Sequence, residues 1–174
     1  FYNEGSCATI ATAWKINDEG CSWAAYGDSV VFHYNRHTEL LEHSFTRLAD
    51  FSNPPRLVSC KDPLEEEGCC SGVFHIDDAS IVFAASDALS HYVLMMYELS
   101  KSAEFESELM ELRMKRTSNS QLLQMAEKEV FKFYDDVLSP LLRSVDSEAD
   151  LKELMESLYV KKLIDIDDYT LAIL

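Results

Sequence analysis

The stretch Ile81-Val82-Phe83-Ala84-Ala85-Ser86-Asp87 decides the fold of this chain. Its first five residues form an apolar run, which predicts a buried strand, and Asp87 closes the run. Apolar residues then recur at helical spacing, at Leu89, Tyr92, Val93, Met96 and Tyr97. The stretch therefore predicts a strand that leads directly into a helix, with an acid at the junction.

The residues before this stretch have the pattern of strands. Residues 7–16 are rich in β-branched and small side chains, and similar runs occupy residues 21–26, 30–34 and 72–76. The first three runs predict a meander, and residues 77–80 predict a hairpin turn into the run 81–85. Residues 35–70 are polar and irregular, so we expect a loop region there.

The residues after Asp87 have the pattern of helices. Periodic apolar positions predict further helices at about 103–116, 119–136 and 147–160, with Pro140 separating two of the helical stretches. Ser147 is followed by acids, which suit the first turn of a helix. The final apolar run, residues 171–174, predicts a closing strand. The order of strands, helices and a last strand is typical of an α+β fold with antiparallel pairing.

Composition and charge limit the classes of function. The chain has 174 residues, which fits one domain, and a formal net charge of −16, which disfavours binding to nucleic acid or to an anionic membrane. No apolar run approaches the roughly 20 residues that span a bilayer, and no signal peptide is evident. The five cysteines follow no zinc-binding spacing, so we expect reduced thiols and a cytoplasmic location. Because the chain begins with Phe1, we also expect that an N-terminal portion is missing.

Two aspartates stand where a strand meets a turn. Asp87 ends one apolar run, and Asp167 opens the segment before the last run. Carboxylates at the ends of sheet strands can converge on one point, and carboxylate oxygens suit a hard divalent cation. Each has a simpler interpretation, because Asp87 is also a good N-cap and Asp167 a solvated turn residue. A third aspartate, Asp28, follows Gly27, and its simplest interpretation is a residue that shapes a turn.

Four short motifs, in order, carry a family resemblance. They are Gly5-Ser6-Cys7-Ala8-Thr9, Gly27-Asp28-Ser29, Ala85-Ser86-Asp87-Ala88-Leu89 and Asp167-Asp168-Tyr169-Thr170-Leu171. The chain resembles the metal-dependent serine/threonine protein phosphatases of the PP2C (PPM) family. The resemblance implies a four-layer αββα sandwich of antiparallel sheets around two Mn²⁺ or Mg²⁺ ions. It also implies that Asp87 and Asp167 are metal ligands and that Asp28 helps to hold a third, weaker ion.

The resemblance implies a hydrolase that removes phosphate from phosphoserine or phosphothreonine in a phosphoprotein substrate, by a metal-activated water and without a covalent catalytic residue. In the family, the first metal motif, with its bridging aspartate, and an early phosphate-binding basic residue precede the strand that Gly5-Ser6-Cys7-Ala8-Thr9 resembles, so we expect both to lie before Phe1. Ala88 replaces a glycine of the family, and Asp168 replaces an asparagine.

We therefore expect residues 1–174 to be one PP2C-like domain, its C-terminal two-thirds, without its N-terminal elements and with a helical insertion at about 101–146. Two alternatives remain. In the first, the chain is a catalytically inactive PP2C-like module that serves in protein interaction or regulation. In the second, it is an unrelated acidic α+β binding domain.

Overall fold

A computed structural model of the chain describes residues 6–61 and 63–174, so Gly5 of the first motif lies outside the described residues. The fold is mixed α+β with antiparallel sheets, as the sequence predicted. The described residues divide into two compact units. The strand unit contains residues 6–45, 53–61, 63–87 and 172–174, and the helix unit contains Thr46–Ser52 and Ala88–Leu171.

The strands form three sheets. In chain order they are β1 (Cys7–Ala8), β2 (Ile10–Asn17), β3 (Gly20–Tyr26), β4 (Val30–Asn35), β5 (Leu40–His43), β6 (Val58–Ser59), β7 (Cys69–His75), β8 (Ser80–Ala85) and β9 (Leu171–Ile173). The sheet orders are β1-β6, β2-β3-β7 and β5-β4-β8-β9. The strands predicted at 81–85 and at the end of the chain are confirmed as β8 and β9.

Two connections differ from the sequence prediction. The predicted meander is confirmed for β2 and β3, which pair antiparallel, and is wrong for β4, because β3 belongs to the three-stranded sheet whereas β4 belongs to the four-stranded sheet. Gly27, with a φ of 88°, turns the chain between them. The predicted hairpin at residues 77–80 is also wrong, because β7 and β8 lie in different sheets. Both turns were located correctly, but each carries the chain from one sheet to the other.

The two larger sheets pack face to face to form the core of the strand unit. Cys21 and Phe74 of the three-stranded sheet cluster with Val31 and Val82 of the four-stranded sheet. The ring centroids of His33 and Phe74 lie 5.4 Å apart across this interface. The side chains of one inner face therefore interdigitate with those of the other, as in a β-sandwich.

The helix unit is built from α1 (Asp87–Ser100, from Ala88 onward), α2 (Glu106–Met114), α3 (Ser118–Ala126), α4 (Ser139–Ser144) and α5 (Glu148–Val160). Residues 89–98 of α1 are all buried, so this helix is enclosed on every side. The helix predicted over 119–136 is shorter, since α3 ends at Ala126. A π-helical turn at Phe133–Leu138 leads straight into α4, and Pro140 lies in the first turn of α4, where a missing amide hydrogen costs little.

Helix α5 has well-defined ends. The Ser147 hydroxyl accepts a hydrogen bond from the Asp150 amide at 3.3 Å, which caps the N-terminus. At the other end Lys162 adopts a φ of 58°, and the Leu163 amide donates to the Leu158 carbonyl at 3.0 Å. This is the Schellman arrangement, which satisfies the last carbonyls of the helix and directs the chain towards Asp167.

Candidate metal centre

Asp28 lies in the turn between β3 and β4, and this turn is tied to the first motif. The Thr9 and Ser29 hydroxyl oxygens are 2.7 Å apart. A Cβ on Gly27 would lie 2.6 Å from the Arg56 carbonyl oxygen and 2.6 Å from Thr9 Cγ2. Only glycine fits this close approach, so the turn holds the half-buried Asp28 in one place.

Asp87 is the first residue of α1, two residues after the end of β8. It is half-buried. The exposed amides at the start of a helix carry partial positive charge, which favours the ionised form of a carboxylate there. The junction therefore places a carboxyl side chain at the end of a sheet strand.

Ala88, which replaces a glycine of the PP2C pattern, lies inside α1. The described non-glycine residues with positive φ are Glu39, Arg116 and Lys162, so Ala88 has an ordinary backbone. Alanine is a better helix former than glycine by roughly 1 kcal/mol. This departure from the pattern causes no strain.

Asp167 lies in the segment between α5 and β9, four residues before the strand. It is exposed, and its Oδ1 accepts a hydrogen bond from the Asp168 amide at 2.8 Å. The Tyr169 hydroxyl donates to the Asp165 carbonyl, which closes the segment into a compact turn. Burial raises the pKa of Tyr169, and the charges of Asp167 and Asp165 contribute to the same direction.

The three aspartates are donors of the right chemistry for Mg²⁺ or Mn²⁺, which prefer carboxylate oxygens. Asp28 and Asp87 belong to the strand unit, whereas Asp167 belongs to the helix unit. The structure brings the Asp28 turn and the Thr9 motif together within the strand unit. Convergence of Asp87 and Asp167 on one cation stays a prediction.

A different group of potential ligands was missed by the sequence reasoning. The ligand atoms of His37, Asp77 and Asp78, all exposed, lie within 4.8 Å of one another. Asp77 already accepts hydrogen bonds from Asn35 Nδ2, at 2.9 and 3.0 Å to its two oxygens, and from the Ser80 hydroxyl and the Ala79 amide. The Asn35 and Ser80 bonds lower the pKa of Asp77. These bonds explain the position of the carboxylate without a metal ion.

The buried His33 of β4 forms side-chain hydrogen bonds with one residue of β5 and one residue of β8. His33 Nδ1 is 2.8 Å from Glu42 Oε2, and His33 Nε2 is 2.8 Å from Ser80 Oγ. The order of serine, histidine and carboxylate is that of a hydrolase triad. However, the side-chain oxygen and the amide of Asp77 also lie 2.9 Å from Ser80 Oγ. Ser80 Oγ is thus surrounded by its own Cβ, by His33 and by two atoms of Asp77, which occupy its four tetrahedral directions. It has no open side from which to attack a substrate, so this network is structural.

Comparison with known proteins leaves the resemblance to be judged on the residues alone. No protein-family model matches the chain, and searches of curated proteins and of solved structures find no significant match. In the described part of the chain, no helix combines the length and the apolar character needed to cross a bilayer.

Proposed function

We propose that this chain acts in the metal-dependent hydrolysis of phosphoserine and phosphothreonine in proteins, as the resemblance to the PP2C phosphatases implies. The observation that carries the proposal is the place of the motifs in the fold. Asp87 stands at the junction of β8 and α1, and Asp28 stands in a turn bonded to the first motif through Thr9 and Ser29. Strand ends and turns are places where a side chain can reach a bound ion, whereas the packed core of a sheet is not.

Each aspartate has a role in this proposal. Asp87 and Asp167 hold two Mn²⁺ or Mg²⁺ ions, and Asp28 helps to hold a third, weaker ion. When bound, such ions supply an activated water and neutralise charge on the phosphoryl oxygens. The protein's own contribution is to orient the carboxylates, through the helix start at Asp87 and the hydrogen bond that the Asp168 amide donates to Asp167 Oδ1.

The test is the Mn²⁺-dependent hydrolysis of a phosphothreonine peptide by the protein. Asp87→Asn keeps the shape and the helix-capping ability of the side chain and removes its charge. We expect the rate to fall by about 100-fold or more, as for loss of a group that stabilises transition-state charge. Asp18→Asn is the matched control, because Asp18 is a fully exposed aspartate in the turn between β2 and β3, outside both groups of potential metal ligands.

The control should hydrolyse the peptide at the parent rate. If Asp87→Asn also keeps the parent rate, Asp87 is not a metal ligand and the proposal is wrong. Circular dichroism of each variant should match that of the parent, so that a loss of rate reports on the site.

The second candidate is a catalytically inactive PP2C-like module that serves in interaction or regulation. One observation favours it: Asp168 adds a negative charge beside Asp167, where the family has a neutral asparagine. Calorimetric titration with Mn²⁺ separates the two candidates. Heat from a site of micromolar affinity that Asp87→Asn abolishes supports the enzyme, and no heat supports the inactive module.

A further inference from the structure

An apolar groove runs along α5 in the helix unit. On the α5 side it is lined by Leu151, Met155 and Tyr159, here called its floor, which recur every four residues and so lie on one face of the helix. The segment after α5 contributes Ile166 and Tyr169, here called its wall. Tyr159 is 46% exposed and Ile166 is 75% exposed, so bulky apolar side chains face solvent here. Apolar side chains that line one concave surface form a candidate ligand site.

The size of the groove suits a short peptide. Its volume is about 520 Å³, which is within the range of roughly 300–1,000 Å³ for ligand sites. From Leu151 to Tyr159 the helix rises by about 12 Å. An extended peptide covers that length with about four residues.

The rim of the groove is acidic. Glu148, Glu156 and Asp168 line it, against one base, Lys152. The chain as a whole carries a net charge of −16, so its long-range field also attracts cations. An apolar floor with an acidic rim is complementary to a peptide that carries bulky apolar side chains between lysines or arginines.

The groove also reaches the segment of the predicted metal ligand. Asp168, on the rim, directly follows Asp167, and its amide is bonded to the Asp167 carboxylate. A peptide lying in the groove would therefore place a neighbouring residue within a few residues' reach of Asp167.

We propose that this groove binds the segment next to the phosphorylated residue of a protein substrate, and that it selects segments with bulky apolar side chains flanked by lysine or arginine. The assignment of the segment as substrate rests on the proposed function. The binding of such a peptide does not, because it needs neither metal nor hydrolysis.

The first experiment measures fluorescence anisotropy in EDTA. The probe is a fluorescein-labelled, unphosphorylated nonapeptide with two leucines flanked by lysines, and a second probe has glutamates in place of the lysines. We expect the lysine probe to bind the parent protein about tenfold more tightly than the glutamate probe, and less tightly in higher salt.

Two pairs of variants locate the site. Glu156→Lys reverses a rim charge and should weaken binding about fivefold, whereas Glu153→Lys makes the same change at an exposed position of α5 outside the groove and should have a much smaller effect. Ile166→Ser removes an apolar wall and should weaken binding about fivefold. Val160→Ser, at a residue 79% exposed that does not line this groove, is its control.

The inference is wrong if the glutamate probe binds as tightly as the lysine probe, or if Glu153→Lys weakens binding as much as Glu156→Lys. It is also wrong if sedimentation shows a dimer that Ile166→Ser dissociates, because a second copy then covers the groove. Peptide binding without phosphatase activity would overturn the proposed function and leave the groove a peptide site. Activity with equal kcat/KM for basic-flanked and acidic-flanked phosphopeptides would overturn the inference and leave the function.

Discussion

Glu98 is a buried acid in the middle of the helix unit. It is only 4% exposed, and its Oε2 has no hydrogen-bond partner among the residues that the structure describes. Burial raises the pKa of Glu98 to about 8, and the negative charge of Glu108 adds to this shift. Arg47 Nη1 lies 2.8 Å from Glu111 but 3.9 Å from Glu108, so Arg47 pairs mainly with Glu111 and offsets the charge of Glu108 less. Because its pKa lies above 7, Glu98 is neutral in the folded protein at pH 7.

This neutral acid makes stability depend on pH. In the unfolded chain Glu98 loses its proton near its ordinary pKa of 4.5, whereas in the folded protein it keeps the proton up to about pH 8. The folded state then binds more protons, so this contribution to the free energy of unfolding is complete below pH 4.5 and is lost as the pH rises to about 8. Glu98→Gln should unfold like the parent at pH 4.5, and at pH 9 it should be more stable by on the order of 5 kcal/mol, because each unit between the two pKa values corresponds to about 1.4 kcal/mol.

Thermal unfolding followed by circular dichroism at pH 4.5, 7 and 9 checks this expectation. Glu106→Gln, at an exposed position of α2, is the control and should shift stability equally little at every pH. A Glu98→Gln variant whose advantage over the parent does not grow with pH would show that Glu98 is ionised in the folded state.

Gly27 is a residue whose backbone leaves no room for a side chain. Its φ is 88°, and an added Cβ would meet a backbone carbonyl at 2.6 Å. We expect Gly27→Ala to lower the free energy of unfolding by about 2 kcal/mol or more. Gly20→Ala, where the nearest atom is the flexible Asn17 Oδ1 at 3.2 Å, should cost about 1 kcal/mol or less. Urea unfolding compares the two, and equal losses would mean that the Gly27 turn relaxes easily.

At the scale of elements, the end of α5 offers a gain in stability. Lys162 occupies the left-handed position of the Schellman arrangement, with a φ of 58°. Lys162→Gly should stabilise the protein by about 0.5–1 kcal/mol, because glycine adopts this conformation without a steric cost. Lys161→Gly, at the preceding right-handed position, should destabilise by a similar amount. Differential scanning calorimetry of both variants tests the pair, and a Lys162→Gly variant with a lower Tm than the parent would contradict the expectation.

The elements with strong local signals were predicted from the sequence. The junction of β8 and α1 has an apolar run followed by helical spacing, and α5 has Ser147 before its acids. Strand β5 was missed, because Leu40–His43 is short and polar at half of its positions, and its stability comes from pairing with β4. The two sheet changes, after β3 and after β7, were missed because a turn sequence does not encode which sheet receives the next strand.

The candidate site was predictable only in part. The turn that carries Asp28 follows from Gly27, but the bond between Thr9 and Ser29 joins residues 20 positions apart and depends on the packed sheets. The His37 group and the buried Glu98 beside Glu108 are likewise products of tertiary packing. The groove along α5 could be anticipated on one side, from the spacing of Leu151, Met155 and Tyr159.

At the scale of the whole molecule, the charge of −16 makes the folded state repel itself. At 0.01 M salt the screening length is about 30 Å, and at 1 M it is about 3 Å. We expect Tm to rise by several degrees, about 5 °C, between 10 mM and 300 mM NaCl, as the repulsion is screened. Calorimetry at constant pH measures the change.

A double variant provides the control for this salt effect. Glu66→Lys with Glu67→Lys changes two exposed acids to bases and brings the net charge from −16 to −12, two units for each substitution. Its Tm should depend less on salt than that of the parent. Equal salt dependence in the two proteins would attribute the effect to specific ion binding.

Strands β8 and β9 are neighbours in the four-stranded sheet but lie about 85 residues apart in the sequence. The chain between them forms the helix unit, apart from Thr46–Ser52. During synthesis the strand that ends at Ala85 emerges long before Leu171 is made. At about 5–20 residues per second, the ribosome needs roughly 4–17 s to supply the missing neighbour. For that time the nascent polypeptide carries an open sheet edge, which invites pairing with other chains. We therefore expect a growing chain of this protein to aggregate more readily than the finished one.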